Sequence, residues 1–108
     1  MAAASVLTAV SAHAAPPPDA DSALAPWYRG LMQPGTHISC CSLADCRPVD
    51  YRYAGGDIEA RADGKWIDVP ASVVLKRTEN PTGRGVLCGV EGTDGIWTVF
   101  CFVEASGA

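Results

Sequence analysis

The sequence predicts a mostly β fold, either a small antiparallel SH3-like barrel or a sandwich, with about five to six strands and a short N-terminal helix. Apolar and polar residues alternate along several short runs, which is typical of half-buried strands. Tight two-residue turns separate these runs at Gly55-Gly56, Asp63-Gly64 and Asp94-Gly95. Five cysteines in 108 residues indicate disulfide cross-links in a chain whose core is small.

The first 14 residues have the features of a secretory signal peptide. They are uncharged, rich in alanine, and end in the small-x-small pattern Ala12-His13-Ala14. A membrane span would need about 20 apolar residues, and a positively charged start is missing, so an alanine-rich terminus is the alternative. We expect cleavage after Ala14 and a periplasmic or secreted product. Residues 15–25 then form a flexible lead-in, 26–104 a single β domain, and 105–108 a disordered tail.

The domain opens with a short helix and a three-stranded meander. Pro26 favours a helix through Met32, which Pro34-Gly35 ends. The runs on either side of Gly55-Gly56 and Asp63-Gly64 pair into strands that end at Pro70. This register places Arg61 opposite Trp66 on the polar face. One set of residues shares the core face: Val49, Tyr51, Tyr53, Ile58 and Ala60.

The rest of the domain adds one hairpin and three shorter features. Residues Gly85 to Thr93 and Ile96 to Glu104 pair around Asp94-Gly95, which sets Val90 opposite Val99 and Cys88 opposite Cys101. The shorter features are a strand around Thr36 to Cys41, a short strand or helical turn within Ala71 to Arg77, and a turn at Asn80-Pro81-Thr82-Gly83.

An odd number of cysteines leaves one sulfur without an intramolecular partner. The hairpin register brings Cys88 within disulfide distance of Cys101, provided that no bulge forms at Gly92. Cys46 then pairs with Cys41, or with Cys40 as the alternative. A competing scheme joins Cys41 to Cys88 or Cys101, and a vicinal Cys40–Cys41 bond is a third. Spacing leaves these alternatives open.

The sequence favours a non-catalytic role over chemistry. The net charge of −4 argues against nucleic acid as a partner. A hydrolase would have to use His37, the only histidine after Ala14, and no nucleophile motif accompanies it. We therefore expect no enzyme activity and no cofactor.

Cysteine chemistry is the alternative function. His37, Cys40, Cys41 and Cys46 could bind Zn²⁺ or Cu⁺. A free cysteine beside Arg47 or near His37 could act in thiol redox chemistry. No C-x-x-C spacing supports either reading, and disulfides compete for the same thiols.

Aromatic residues beside arginine indicate a binding surface instead. Trp66 projects next to Arg61, and Trp97 lies near the tip of the last hairpin. Exposed aromatic residues and arginines are frequent contact residues of interfaces. The alternative is that Trp66 simply stacks on Arg61 within the domain. The expected partner of the domain, itself a monomer, is a protein or peptide.

The run from Ile38 to Pro48 has the pattern I-S-C-C-x4-C-R-P. Together with Gly64 to Pro70, Asn80 to Gly83 and Cys101 to Val103, it resembles small exported bacterial proteins that have no established activity. The resemblance covers about Trp27 to Val103. It implies export and a shared fold, and nothing about mechanism.

Overall fold

A computed structural model describes residues 22–41, 45–76 and 79–105 of the chain. The predicted signal peptide lies outside the described residues, as do most of the lead-in and of the tail. Within these residues, one short helix and six strands form in chain order: α1 (Ala25–Arg29), β1 (Asp45–Val49), β2 (Tyr51–Ala54), β3 (Asp57–Ala62), β4 (Lys65–Val69), β5 (Gly85–Glu91) and β6 (Trp97–Val103).

The strands form two three-stranded antiparallel sheets, with orders β1-β5-β6 and β2-β3-β4. Only Asp50 separates β1 from β2, so one stretch of chain supplies an edge strand to each sheet. The Arg61 amide donates to the Asp50 carbonyl at this corner (N to O, 2.8 Å). The fold is therefore mostly β and antiparallel, as predicted, but the sheets do not close into a barrel.

The meander has the predicted register, including Tyr51 opposite Ala60 and Arg61 opposite Trp66. Its core face is correct except at Tyr53, which is 62% exposed. The Tyr53 hydroxyl instead donates to Glu104 Oε2 (2.5 Å). Tyr53 was wrongly predicted as core because alternation identifies the face of a strand, whereas burial depends on what covers that face.

The last hairpin differs from the prediction at its tip. Glu91 pairs with Trp97 and Val90 with Thr98, because a three-residue loop joins Gly92 to Ile96. A bulge between Cys88 and Gly89 restores the predicted register, so Cys88 does face Cys101. The predicted Val90–Val99 pair is therefore wrong, and the bulge lies between Cys88 and Gly89 and not at Gly92.

The segment before β1 is less regular than predicted. The helix has five residues, follows a 3-10 turn at Ser22–Leu24, and ends before Gly30. The predicted strand around Thr36 to Cys41 does not form; only a bridge joins Ser39 to Met32. Among the described residues, that bridge has no adjoining strand to extend it. The segment is held by two backbone bonds, from Gln33 to Ile38 and from Cys40 to Leu31, both 2.8 Å.

The region between β4 and β5 contains the predicted turns. Ala71–Val73 forms a 3-10 turn, after which Val74 makes a parallel bridge to Phe102 of β6. Asn80 is 5% exposed and organises the turn that follows. Its Nδ2 donates to the carbonyls of Arg84 (2.6 Å) and Glu104 (3.1 Å).

Two clusters of buried side chains form the core. Four disulfide-bonded cysteines lie in the first cluster, together with Tyr28, Leu31, Val86 and Val103. The second cluster lies under the meander and includes Val49, Ala60, Leu87 and Phe102. Alternate residues of β5 and β6 belong to different clusters, so both faces of this hairpin are buried near Phe102. This placement explains the apolar residues on both faces of β6.

Candidate functional site

Two disulfides join the segment that contains Cys40 and Cys46 to the last hairpin, formed by β5 and β6. Cys40 bonds Cys101, with Cα atoms 5.8 Å apart, and Cys46 bonds Cys88. All four cysteines are at most 1% exposed. This is the scheme in which the segment and the hairpin are cross-linked, with Cys40 in place of Cys41.

The predicted Cys88–Cys101 bond is wrong although its register is right. β5 is the central strand of its sheet, so Cys88 has Cys46 of β1 opposite it on one side and Cys101 of β6 on the other. Cys88 forms its disulfide with Cys46, and Cys101 forms its disulfide with Cys40, which lies in the irregular segment before β1. Hairpin reasoning had shown only one of the two neighbours of Cys88, because β1 comes from a distant part of the chain.

Cys41 is the free cysteine among the described residues. Its Sγ, together with the sulfurs of Cys46 and Cys88, forms a cluster in which all three atoms lie within 4.8 Å of one another. The Cys41 thiol donates to the Tyr28 carbonyl (3.7 Å). Burial, and then the negative charge of Asp45, raises the pKa of Cys41 to about 11, so this thiol is protonated at neutral pH.

The predicted metal ligands do not come together as one set. Cys40 is consumed by its disulfide with Cys101, and His37 is exposed. The sulfurs of Cys41 and Cys46 do lie close together, but the third sulfur in their cluster belongs to Cys88 and not to Cys40. Sequence spacing had pointed to Cys40 and His37 because they are near in the chain, whereas Cys88 arrives only through the pairing of β1 with β5.

Trp66 lies beside two arginines on the outer face of the meander. The Cζ of Arg52 is 3.9 Å from the indole centroid, and that of Arg61 is 5.7 Å away. Arg52 Nη2 also pairs with Glu59 Oε1 (2.7 Å). Trp66 is 37% exposed. We call Arg52, Arg61 and Trp66 the arginine–tryptophan surface.

The nearer arginine was missed by sequence reasoning. Arg52 lies opposite Glu59 on the adjacent strand, yet its side chain extends across β3 to Trp66 on β4. The signal was available, since alternation places Arg52, Arg61 and Trp66 on one face of the meander. The spread of a long side chain across two strands is what the pattern leaves out.

Trp97 lies elsewhere. It is half-buried, packs against the second core cluster, and has the Cζ of Arg47 5.3 Å from its ring centroid. Its Nε1 is buried without a hydrogen-bond partner in the described part of the chain. Trp97 is therefore partly a core residue. It lies on β6, which is not paired with any strand of the meander that carries the arginine–tryptophan surface.

A groove of about 500 Å³ lies beside the meander and was not expected from the sequence. Its walls come from the ends of β2, β3, β4 and β6 and from the segment after the 3-10 turn. Its residues include Tyr53, Ile58, Val69, Val74, Leu75, Lys76 and Glu104. The hydrogen bond to Glu104 raises the pKa of Tyr53 to about 12, with smaller effects from burial and from the charge of Glu104.

No family model matches this chain, and neither a curated protein nor a solved structure matches it. The part of the chain that the structure describes contains no helix of the length and hydrophobicity needed to cross a membrane. Its two disulfides are compatible with an oxidising extracellular compartment.

Proposed function

We propose that this chain is an exported, non-catalytic β domain that binds a protein or peptide through the arginine–tryptophan surface. The observation that carries the proposal is Trp66, which is still 37% exposed although the guanidinium groups of two arginines lie over its ring. Tryptophan and arginine are enriched among the residues that dominate interface energetics. These side chains lie on the meander, whose inner face packs against the second core cluster except at Tyr53.

The charges favour an acidic contact on the partner. Arg52 is neutralised by Glu59, whereas Arg61 is exposed and forms no ion pair with any residue in the described ranges. A carboxylate from the partner could pair with the Arg61 guanidinium while an apolar group packs on the uncovered part of the indole. This local arrangement does not require a basic protein, and the net charge of the chain is −4.

The proposal includes an exported location and an SH3-like arrangement. Two buried disulfides suit a small domain in an oxidising compartment. The stretch from β1 to β2, shared by both sheets, is what a partly open SH3-like barrel would require, and it supports that assignment.

Photo-crosslinking tests the binding surface. A photoreactive phenylalanine analogue replaces Trp66 in the full chain, expressed in its native compartment, and the matched control carries the analogue at Ile96, which is 65% exposed. We expect a discrete protein adduct at position 66, absent at position 96 and weakened at least fivefold by Arg61→Glu. Equal labelling at both positions would overturn the proposal.

The role of Trp66 in folding is tested separately. Because Trp66 packs on arginine side chains at the surface, Trp66→Ala should lower the free energy of unfolding by no more than about 1 kcal/mol. Urea unfolding followed by circular dichroism measures this change. Global unfolding of the variant would show that Trp66 is a core residue and would remove the basis for the binding surface.

A further inference from the structure

We propose that Cys41, Cys46 and Cys88 form a thiol–disulfide exchange site in which Cys41 can replace Cys46 as the partner of Cys88. The three sulfurs all lie within 4.8 Å of one another, and two of them are already bonded. The third belongs to the free cysteine of the described chain. This activity is separate from partner binding at Trp66.

The fold favours Cys88 as the target. Cys40 is bonded to Cys101, and Cys101 is the cross-strand neighbour of Cys88. Cys41 follows Cys40 in the chain, so the same hairpin holds Cys41 beside Cys88. The product would contain the bonds Cys40–Cys101 and Cys41–Cys88, which join two consecutive cysteines to two cross-strand neighbours of one hairpin.

Chain entropy favours the same product. A Cys41–Cys88 bond would close a loop of about 47 residues, similar to the separation of 42 residues between Cys46 and Cys88. A Cys41–Cys46 bond would close a loop of about five residues and constrain the unfolded chain much less. Exchange at Cys88 therefore keeps most of the stabilisation that the Cys46–Cys88 disulfide, the inner of the two nested bonds, provides.

The exchange step is balanced within the protein. The Cys41 thiolate attacks Sγ of Cys88 and forms the new S–S bond, while the bond to Cys46 breaks and its electron pair remains on the Cys46 sulfur. That sulfur takes up the proton that Cys41 released. One disulfide and one thiol exist before and after, so the step uses no oxidant or reductant.

Protonation of Cys41 limits the rate. Burial, and then the charge of Asp45 of β1, raises its pKa from the ordinary value of 9.0 to about 11. The thiol also donates a hydrogen bond to the Tyr28 carbonyl of α1. Only about one molecule in ten thousand carries the thiolate at pH 7. The pKa of Cys41 is higher in the folded protein than its ordinary value of 9.0, so the fold favours the protonated thiol. The resulting contribution to stability is fully present below pH 9 and is lost as the pH rises through 11.

Exchange would move a cross-link between parts of the fold. At present the inner disulfide ties β1 to β5. After exchange β1 would be held to β5 by its backbone pairing alone, and the segment at Cys40 and Cys41 would carry both links. Because β1 continues into β2, the change would affect the edge where the two sheets meet.

The variant Cys46→Ser tests the proposal. It is folded in the presence of oxidised glutathione, alkylated under denaturing conditions, and mapped by mass spectrometry. We expect Cys40–Cys101 and Cys41–Cys88 bonds and no free thiol. The matched control, Cys41→Ser, should retain the two disulfides of the parent and no free thiol. Free Cys41 and Cys88 in a folded Cys46→Ser variant would overturn the proposal.

The unmodified protein gives a second, independent measurement. Samples held at pH 7 and at pH 11 are quenched with acid and mapped at several protein concentrations. The Cys41–Cys88 peptide and free Cys46 should form at least a hundredfold faster at pH 11, independently of concentration, and not in Cys41→Ser. Failure of the isomer to form at pH 11 would overturn the proposal even if Cys46→Ser did not fold.

Discussion

At the scale of the residue, Asn80 shows how one buried polar group fixes several backbone atoms. Its Nδ2 donates to two carbonyls, and its Oδ1 accepts from the amide (3.0 Å) and hydroxyl (2.6 Å) of Thr82. One of those carbonyls belongs to Glu104, which follows β6. The side chain thus ties the turn before β5 to the end of β6 and satisfies polar atoms that water reaches poorly.

We predict that Asn80→Ala lowers the free energy of unfolding by about 2 kcal/mol, because it leaves buried backbone groups without partners. Asn80→Asp should also destabilise at neutral pH, since a carboxylate would face the Arg84 and Glu104 carbonyls. Thr82→Ser is the matched control, because it keeps the hydroxyl, and it should change stability by less than about 0.5 kcal/mol. Urea denaturation measures all three, and wild-type stability of Asn80→Ala would contradict the assignment.

At the scale of the element, β5 depends on a close approach at its first residue. Gly85 pairs with Val49, and the ring of Tyr51 covers it. A Cβ at position 85 would lie 2.5 Å from Tyr51 Cδ1 and 3.0 Å from Phe102 Cζ. The two aromatic rings themselves pack edge to face, 5.1 Å between centroids. The absence of a side chain at Gly85 is therefore a packing requirement.

We predict that Gly85→Ala costs about 1–3 kcal/mol of stability, because the Tyr51 ring must move out of its contact with Phe102. Gly30→Ala is the control: its φ is −83° and a Cβ there would meet nothing nearer than 3.5 Å. That control should be neutral or slightly stabilising. Thermal unfolding distinguishes the two, and equal midpoints for both variants would contradict the packing argument.

At the scale of the whole molecule, the two disulfides are nested. The inner bond joins residues 42 apart and the outer bond residues 61 apart. In the chain-entropy model the inner bond alone is worth about 4 kcal/mol. With the inner loop closed, the outer bond closes about 20 further residues and adds about 3 kcal/mol. These are large fractions of the stability of a domain of this size.

We predict that the double variant Cys40→Ala, Cys101→Ala lowers the free energy of unfolding by about 3 kcal/mol while Cys46–Cys88 stays closed. Denaturation midpoints in urea, combined with disulfide mapping, measure the change. Cys41→Ala serves as the control because it removes a sulfur without removing a cross-link. A loss in the control as large as that in the double variant would show that packing at the segment, and not the cross-link, provides the stabilisation.

The sequence by itself determined the local features of this protein. Turn residues and alternation set the meander register from Tyr51 to Val69, and they placed Cys88 opposite Cys101. These features depend on neighbours within a few residues, which a single sequence displays. The register of Cys88 was right for an incomplete reason, since a three-residue loop and a bulge compensate each other.

The tertiary structure alone decided the partners. The bond between Cys46 and Cys88, the exposure of Tyr53 and the contact of Arg52 with Trp66 each depend on which elements lie beside one another. Alternation says which face a side chain takes and gives no information about what covers that face. The pairing of β1 with the central strand β5 brings Cys46 to Cys88, and the Cys40–Cys101 bond holds the neighbouring Cys41 beside both. These two long-range contacts together create the three-sulfur cluster.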